Sequence, residues 1–172
     1  MRIIIDTREK PKATEKIEAE FKKQGVQYLR SKLPYGDYHS PDYPDIVIDR
    51  KQNLTELCNN VSSVAKKDKN GRIKRYEDGT VMTELNRFTS ELKGAKSFGY
   101  KMIVLCEHGG QIHSLEDVRN WKNPRLRESP LAMSGERLYI VLSRLTQTYD
   151  FEIRFCDKRE TGKRIIEMLQ GE

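Results

Sequence analysis

Residues 36 to 51 read Gly36-Asp37-Tyr38-His39-Ser40-Pro41-Asp42-Tyr43-Pro44-Asp45-Ile46-Val47-Ile48-Asp49-Arg50-Lys51. The apolar run Ile46-Val47-Ile48 suits a buried β-strand that closes on Asp49 and Lys51. Residues i and i+2 of a strand share a face, so Asp49 and Lys51 point one way and Arg50 the other. Asp37 follows a glycine, in a turn or at a strand start. If the segment over 36–39 pairs with 45–51 as a hairpin, Asp37, Asp49 and Lys51 converge. Two carboxylates can hold a hard divalent cation such as Mg²⁺ or Mn²⁺. An ammonium beside them can position or deprotonate a water, or stabilise a phosphate oxygen that gains charge. That is the equipment of phosphodiester hydrolysis.

Two acids and a lysine at loose spacing also describe a solvated strand end in a chain that is 34% charged. Their company separates the two readings. The chain opens Ile3-Ile4-Ile5-Asp6-Thr7-Arg8-Glu9, continues with Gly36-Asp37-Tyr38 and reaches Ile48-Asp49-Arg50-Lys51. In this order the segments resemble the XPF-type structure-specific nucleases of the PD-(D/E)XK, restriction-endonuclease-like group. Those proteins carry a D-x-R-E start, a G-D-x turn and an E-R-K core.

The 172 residues fit one domain, 1–172, large enough for its own core. Net charge is +6 and the pI near 9.2, which suits a polyanionic partner. Cys58, Cys106 and Cys156 are odd in number and far apart, in apolar contexts. They read as reduced, buried thiols rather than disulfides or metal ligands. His39, His108 and His113 lack ligand spacing as well. No stretch approaches 18 apolar residues and no leader precedes Met1-Arg2-Ile3, so the expected location is cytoplasmic, or nuclear in a eukaryote, without membrane contact.

Ile3-Ile4-Ile5 forms a strand ending at Asp6, and Ala13, Ile17 and Phe21 mark a helix over 13–24 with Gly25 at its C-terminus. Glu20 on this helix is a candidate accessory acid. A strand follows over 26–33. Asn53 caps a helix over 54–65, with Leu54, Leu57, Cys58 and Val61 on one face. Residues 66–80 form the most polar stretch, in which Lys66, Lys67, Lys69, Arg72, Lys74 and Arg75 interleave with Tyr76. This is either a solvated loop or one that grips DNA phosphates. A helix over 82–98 turns Leu85, Phe88, Leu92 and Ala95 inward. A buried strand spans 102–106, a short helix 115–121, and two prolines mark an irregular stretch over 122–135. A helix over 136–149, a strand over 151–155 and a helix over 160–169 close the chain, and no internal repeat is evident. This alternation predicts an α/β fold of three layers, helices flanking a mixed central β-sheet.

The family resemblance extends over nearly the whole chain. Arg87-Phe88 matches its R-F helix, Val104-Leu105-Cys106-Glu107 its glutamate-ended strand, and Arg159-Glu160-Thr161 the entry to its last helix. It implies a restriction-endonuclease-like core that cuts branched or junction DNA with Mg²⁺ or Mn²⁺ and no small-molecule cofactor. Asp37 and Asp49 would be metal ligands, with Asp6 adding a carboxylate or holding a metal-bound water. Lys51 would orient or activate the attacking water. Arg50 would handle phosphate or form a structural salt bridge, and Arg8 and Arg87 would contact phosphate or form surface ion pairs. Glu107 would support the fold or a neighbouring base. The resemblance also implies a homodimer or heterodimer through the C-terminal helices. Ile140 and one of Ile165 and Ile166 fall outside their core-facing stripe.

The chain departs from the pattern in several respects. Asp49 stands where the family has glutamate. Thr55 replaces the acid expected four positions after the core motif, with Glu56 adjacent as a possible substitute. Residues 66–80 look inserted, and no tandem helix-hairpin-helix module occurs within these 172 residues. Substrate selection is therefore expected from the core, the polar loop or a partner. The alternative is an inactivated nuclease fold that binds DNA or a protein partner. RNA binding finds no RNP-like aromatic motif.

Overall fold

Strand pairing spreads from the 36–51 segment in both directions. The computed structural model describes residues 1–171. Its elements are β1 Arg2–Asp6, α1 Pro11–Lys23, β2 Gln27–Ser31, β3 Tyr38–Ser40, β4 Tyr43–Lys51, α2 Leu54–Asn60, α3 Glu84–Ser97, β5 Lys101–Glu107, α4 Gly135–Tyr149, β6 Glu152–Cys156 and α5 Thr161–Leu169. The strands form a six-stranded sheet in the order β2-β1-β3-β4-β5-β6. β3 and β4 are the expected antiparallel hairpin, with Tyr38 opposite Ile48. β1 joins β3 antiparallel, and the outer pairings are parallel. The sheet is therefore mixed and the fold α/β, as the sequence predicts.

Alternation along β4 divides the core in two. Ile48 joins Ile5, Phe21, Tyr38, Leu105 and Ile165 under α1 and α5. Val47 joins Leu57, Phe88, Leu92, Val104 and Leu142 under α2, α3 and α4. Asp49 and Lys51 lie on the Val47 side and Arg50 on the Ile48 side, so three consecutive residues serve two different layers. The second cluster takes strand residues from β4, β5 and β6 alone. Beyond it, Leu29 of β2 is left 54% exposed, with Ile4 half-buried beside it.

Several boundaries differ from expectation for local reasons. α2 ends at Asn60, because Asn59, Asn60, Ser62 and Ser63 are weak helix formers. α3 begins at Glu84, where Thr83 Oγ1 accepts from Asn86 N–H at 2.9 Å. β2 is only Gln27–Ser31. The expected helix over 115–121 is a 3-10 turn, Glu116–Asn120, and a second such turn, Pro124–Arg127, lies in the irregular stretch. Among the apolar residues expected outside the C-terminal core stripe, Ile140 is 39% exposed, Ile165 is buried and Ile166 is half-buried.

The polar stretch overturns the expectation of no internal repeat. Lys66-Lys67-Asp68-Lys69-Asn70-Gly71-Arg72-Ile73 is followed in register by Lys74-Arg75-Tyr76-Glu77-Asp78-Gly79-Thr80-Val81. Each half closes a small hairpin with the same hydrogen bonds. Asp68 N–H donates to Arg72 O at 2.9 Å and Gly71 N–H to Asp68 O at 3.0 Å. The counterparts, Tyr76 N–H to Thr80 O and Gly79 N–H to Tyr76 O, measure 2.8 and 3.0 Å. Gly71 and Gly79 sit at φ +79° and +84°, where a side chain would be strained. Lys66 N–H donates to Met82 O, Met82 N–H to Lys74 O and Lys74 N–H to Lys66 O, at 2.8, 2.9 and 2.8 Å. The two hairpins thus spring from one closed ring of three backbone bonds.

Candidate active site

The β3–β4 hairpin builds the site. Asp37 N–H donates to Ile48 O at 2.7 Å, and Arg50 N–H donates to Asp37 Oδ2 at 2.8 Å. These bonds hold the Asp37 carboxylate beside the end of β4. Gly36 makes the approach possible. It adopts φ +67°, and a Cβ there would lie 2.5 Å from Val47 Cγ2 and 2.9 Å from Ile48 O. Asp49 and Lys51 project from β4 on the α2–α4 side, both buried. Lys51 Nζ donates to Asp49 Oδ1 at 2.8 Å. It also lies 2.7 Å from Oδ2, which receives no well-directed hydrogen bond of its own.

Charge at this point is unbalanced toward the negative. Burial pushes the Asp37 carboxyl well above the usual carboxylate range, and Asp49 and Glu9 add to the rise. Lys51 and the Arg50 N–H oppose it without cancelling it. Burial by itself would lower the Lys51 ammonium, but Asp49, Asp37 and Glu56 hold it above its ordinary value. Two facing carboxylates and one under-bonded buried oxygen fit a divalent cation. Among the described residues no three His, Cys, Asp or Glu side chains are arranged to hold one. The donor set is therefore two carboxylates, which suits an ion such as Mg²⁺ that keeps several of its waters.

The other expected site residues divide into neighbours and structural supports. Arg50 is buried and crosses to the opposite layer, where Nε and Nη2 donate to Glu9 Oε2 at 2.9 and 2.6 Å. Its Nη1 donates to Glu107 Oε1 at 3.1 Å. The Arg50 side chain is therefore engaged in ion pairs with Glu9 and Glu107, on the opposite face of the sheet from Asp49. Asp6 is fully buried, and both its oxygens are engaged. Oδ1 accepts from Arg8 N–H and Nε at 2.7 and 2.6 Å, and Oδ2 from Leu33 N–H at 2.6 Å. Burial would raise the Asp6 carboxyl, but these donors together hold it below the usual range. Asp6 is thus an anchor for the 33–36 turn.

Arg8 continues from that anchor, its Nη2 lying 3.2 Å from Gly36 O, close enough to sense Asp37 and Glu91. Arg87 on α3 pairs with Glu84 at 2.8 Å and Glu91 at 3.4 Å and senses Asp49. Both arginines are exposed at the rim. Glu56 accepts from Gln52 N–H at 2.8 Å, holding the start of α2 close to Lys51. Glu20 is a correction. α1 packs on the other layer, and Glu20 meets Gln24, Lys23 and Gly162 there, away from Asp49. In the twin hairpins Lys66 pairs with Glu84 at 2.5 Å, while Lys67, Lys69, Arg72, Lys74 and Arg75 are exposed.

The model of the ERCC4 domain matches residues 5–169. The chain belongs to the ERCC4 domain family. Its ERCC4 domain has the fold of XPF from Aeropyrum pernix, at a TM-score of 0.57 and 18% identity, over 99% of this chain and 60% of that one. The same protein solved in complex with DNA matches at 0.58 and 19%, over 98% and 63%. The chain thus spans about three-fifths of the XPF chains it matches. No curated protein sequence matches it.

Two acids of this ERCC4 domain carry roles that spacing did not assign. Glu9 accepts from Arg50 and, at 3.2 Å, from the Tyr38 hydroxyl. Glu91 receives Gly36 N–H at 3.5 Å and faces Arg87, tying α3 to the turn before Asp37. Glu9 was visible as the end of the Asp6-Thr7-Arg8-Glu9 opening. Glu91 gave no local signal.

Proposed function

We propose that this ERCC4 domain is a metal-dependent endonuclease that hydrolyses phosphodiester bonds in branched DNA. The observation that carries the reading is the convergence of Asp37, Asp49 and Lys51 at the end of β4, with Arg8 and Arg87 on its rim. Asp37 and Asp49 would hold a divalent cation, which would supply positive charge to the scissile phosphate and acidity to a water. Lys51, already an ammonium in contact with Asp49, holds a water or a phosphate oxygen in line. Arg8 and Arg87 bind the flanking phosphates, and the twin hairpins extend the basic track from the start of α3. The XPF of like fold solved with DNA supports the choice of polymer. Pairing of two copies through α4 and α5 rests on the resemblance, with Ile140, outside the core-facing stripe, as an exposed apolar residue on α4.

The test is incubation of the protein with labelled duplex, flap and four-way junction DNA, first with Mg²⁺ or Mn²⁺ and then with EDTA. Cleavage that needs the metal and favours branched DNA supports the reading. The two-carboxylate donor set favours a second reading, a binding module without chemistry. Binding that persists in EDTA, with no cleavage under any metal, selects that one.

A further inference from the structure

Next to the site the surface carries a feature that hydrolysis itself does not require. Tyr35, Phe98, Tyr100 and His39 form a continuous row of rings, in which Phe98 is exposed, Tyr35 and Tyr100 are half-buried and His39 is buried. Centroids lie 6.0 Å apart from Tyr35 to Phe98, 5.0 Å from Phe98 to Tyr100 and 5.1 Å from Tyr100 to His39. Phe98 is 60% exposed although it caps a helix beside a large core. The row is held rigidly at both ends. A Cβ on Gly94 would meet Tyr35 Cε1 at 2.4 Å, so only glycine lets that ring rest against α3. His39 Nδ1 lies 3.1 Å from Ile46 O.

Its placement points to a ligand. Tyr35 stands two residues before Asp37, within about 7 Å of chain. Arg87, Glu91, Gly94 and Phe98 recur at helical spacing along one line of α3, so the rim arginine and the exposed ring share a face. At its far end the row continues across the sheet. Cross-strand register sets His39 beside Ile4 and Ile4 beside Leu29, on the half of the sheet that leaves Leu29 exposed. Exposed and half-buried rings at a protein surface can stack unpaired bases, because every base has a π-face. A duplex hides those faces, and an unpaired strand offers them.

We propose that this row is a stacking platform for an unpaired DNA strand leaving the cleavage site. The proposal rests on the nuclease reading and adds which residues hold the unpaired arm of a branched substrate: Phe98, backed by Tyr35 and Tyr100. Along α3 the rise of 1.5 Å per residue puts Phe98 roughly 16 Å from Arg87. At 3.4 Å per stacked nucleotide that is about five nucleotides, so a very short arm does not reach the exposed ring.

The experiment measures binding in EDTA, with no cleavage involved. Three DNAs share one duplex: one blunt, one with an arm of about two nucleotides, one with an arm of about ten carrying 2-aminopurine about five nucleotides from the duplex. The long arm should bind most tightly, and its 2-aminopurine fluorescence should be quenched. Phe98→Ala should lose roughly tenfold in affinity for the long arm together with the quenching, and bind blunt duplex as before. Phe98→Trp should keep both. If Phe98→Ala leaves long-arm affinity unchanged while duplex binding persists, the platform is overturned and the nuclease reading stands. If no DNA binds at all, both fall. If Phe98→Ala alters the mass of the protein in solution and not its DNA affinity, the row is a contact between copies and the proposal fails.

Discussion

The main-chain N–H of Arg50 donates to Asp37 Oδ2 at 2.8 Å, so the strand that carries Asp49 and Lys51 also fixes the carboxylate facing them. The guanidinium of the same residue points through the sheet to Glu9 and Glu107. One residue therefore locks the site from its backbone and the opposite layer from its side chain.

Asp49→Ala and Lys51→Ala should each reduce metal-dependent cleavage at least about a hundredfold, the scale for removing an electrostatic or acid–base contributor. Circular dichroism and DNA affinity should stay close to those of the parent protein. Undiminished cleavage in both variants would place the chemistry elsewhere.

Asp37→Asn should be inactive yet more stable at neutral pH. Burial and Asp49 raise the folded pKa of Asp37 above its unfolded value, so stability is lost as pH rises from the unfolded pKa toward the folded one. The asparagine variant does not pay this cost. Its melting temperature should exceed the parent's by a few degrees at pH 7, about 3 °C per kcal/mol for a chain of this size, and the gap should close below about pH 4. Thermal scans across that range decide it, and an equal or lower melting temperature at pH 7 counts against the crowded carboxylates.

Replacing Lys67, Lys69, Arg72 and Lys74 with serine should flatten the salt dependence of DNA affinity. Each lost phosphate contact lowers the slope of log K against log salt by about 0.9 on duplex DNA. Cleavage at saturating DNA should change less. A slope that does not move assigns the hairpins to solvent.

Glu9→Ala should destabilise the fold by about 3 kcal/mol, because it leaves Arg50 buried with Glu107 alone. Denaturant titration reads the loss. Any folded fraction should still retain the DNA affinity of the parent, which a phosphate-binding Arg50–Glu9 unit would forfeit.

The part of the fold that alternation and apolar runs control was legible in the sequence. Ile46-Val47-Ile48 gave β4, and its period of two put Asp49 with Lys51 and sent Arg50 away. Phe88, Leu92 and Ala95 gave the buried stripe of α3. What stayed hidden depends on partners far along the chain. Nothing near Arg50 announces Glu9 or Glu107, 41 and 57 residues away. Glu20 was misplaced because the crossover from β1 through α1 to β2 decides which layer receives α1, and spacing within the helix carries no such information. The Tyr35–Phe98 contact needs Gly94, a residue that reads locally as a mere weakness in a helix.

The twin hairpins have a consequence for how this domain can change length. Lys66, Lys74 and Met82 are joined pairwise by backbone bonds, so any two of them can close the remaining excursion without the third. Removing one eight-residue hairpin in frame should therefore leave the start of α3 in place, because one of the three backbone bonds still closes the excursion. The segment is a countable unit set into the rim, separable by whole hairpins from the strand that carries Asp49 and Lys51.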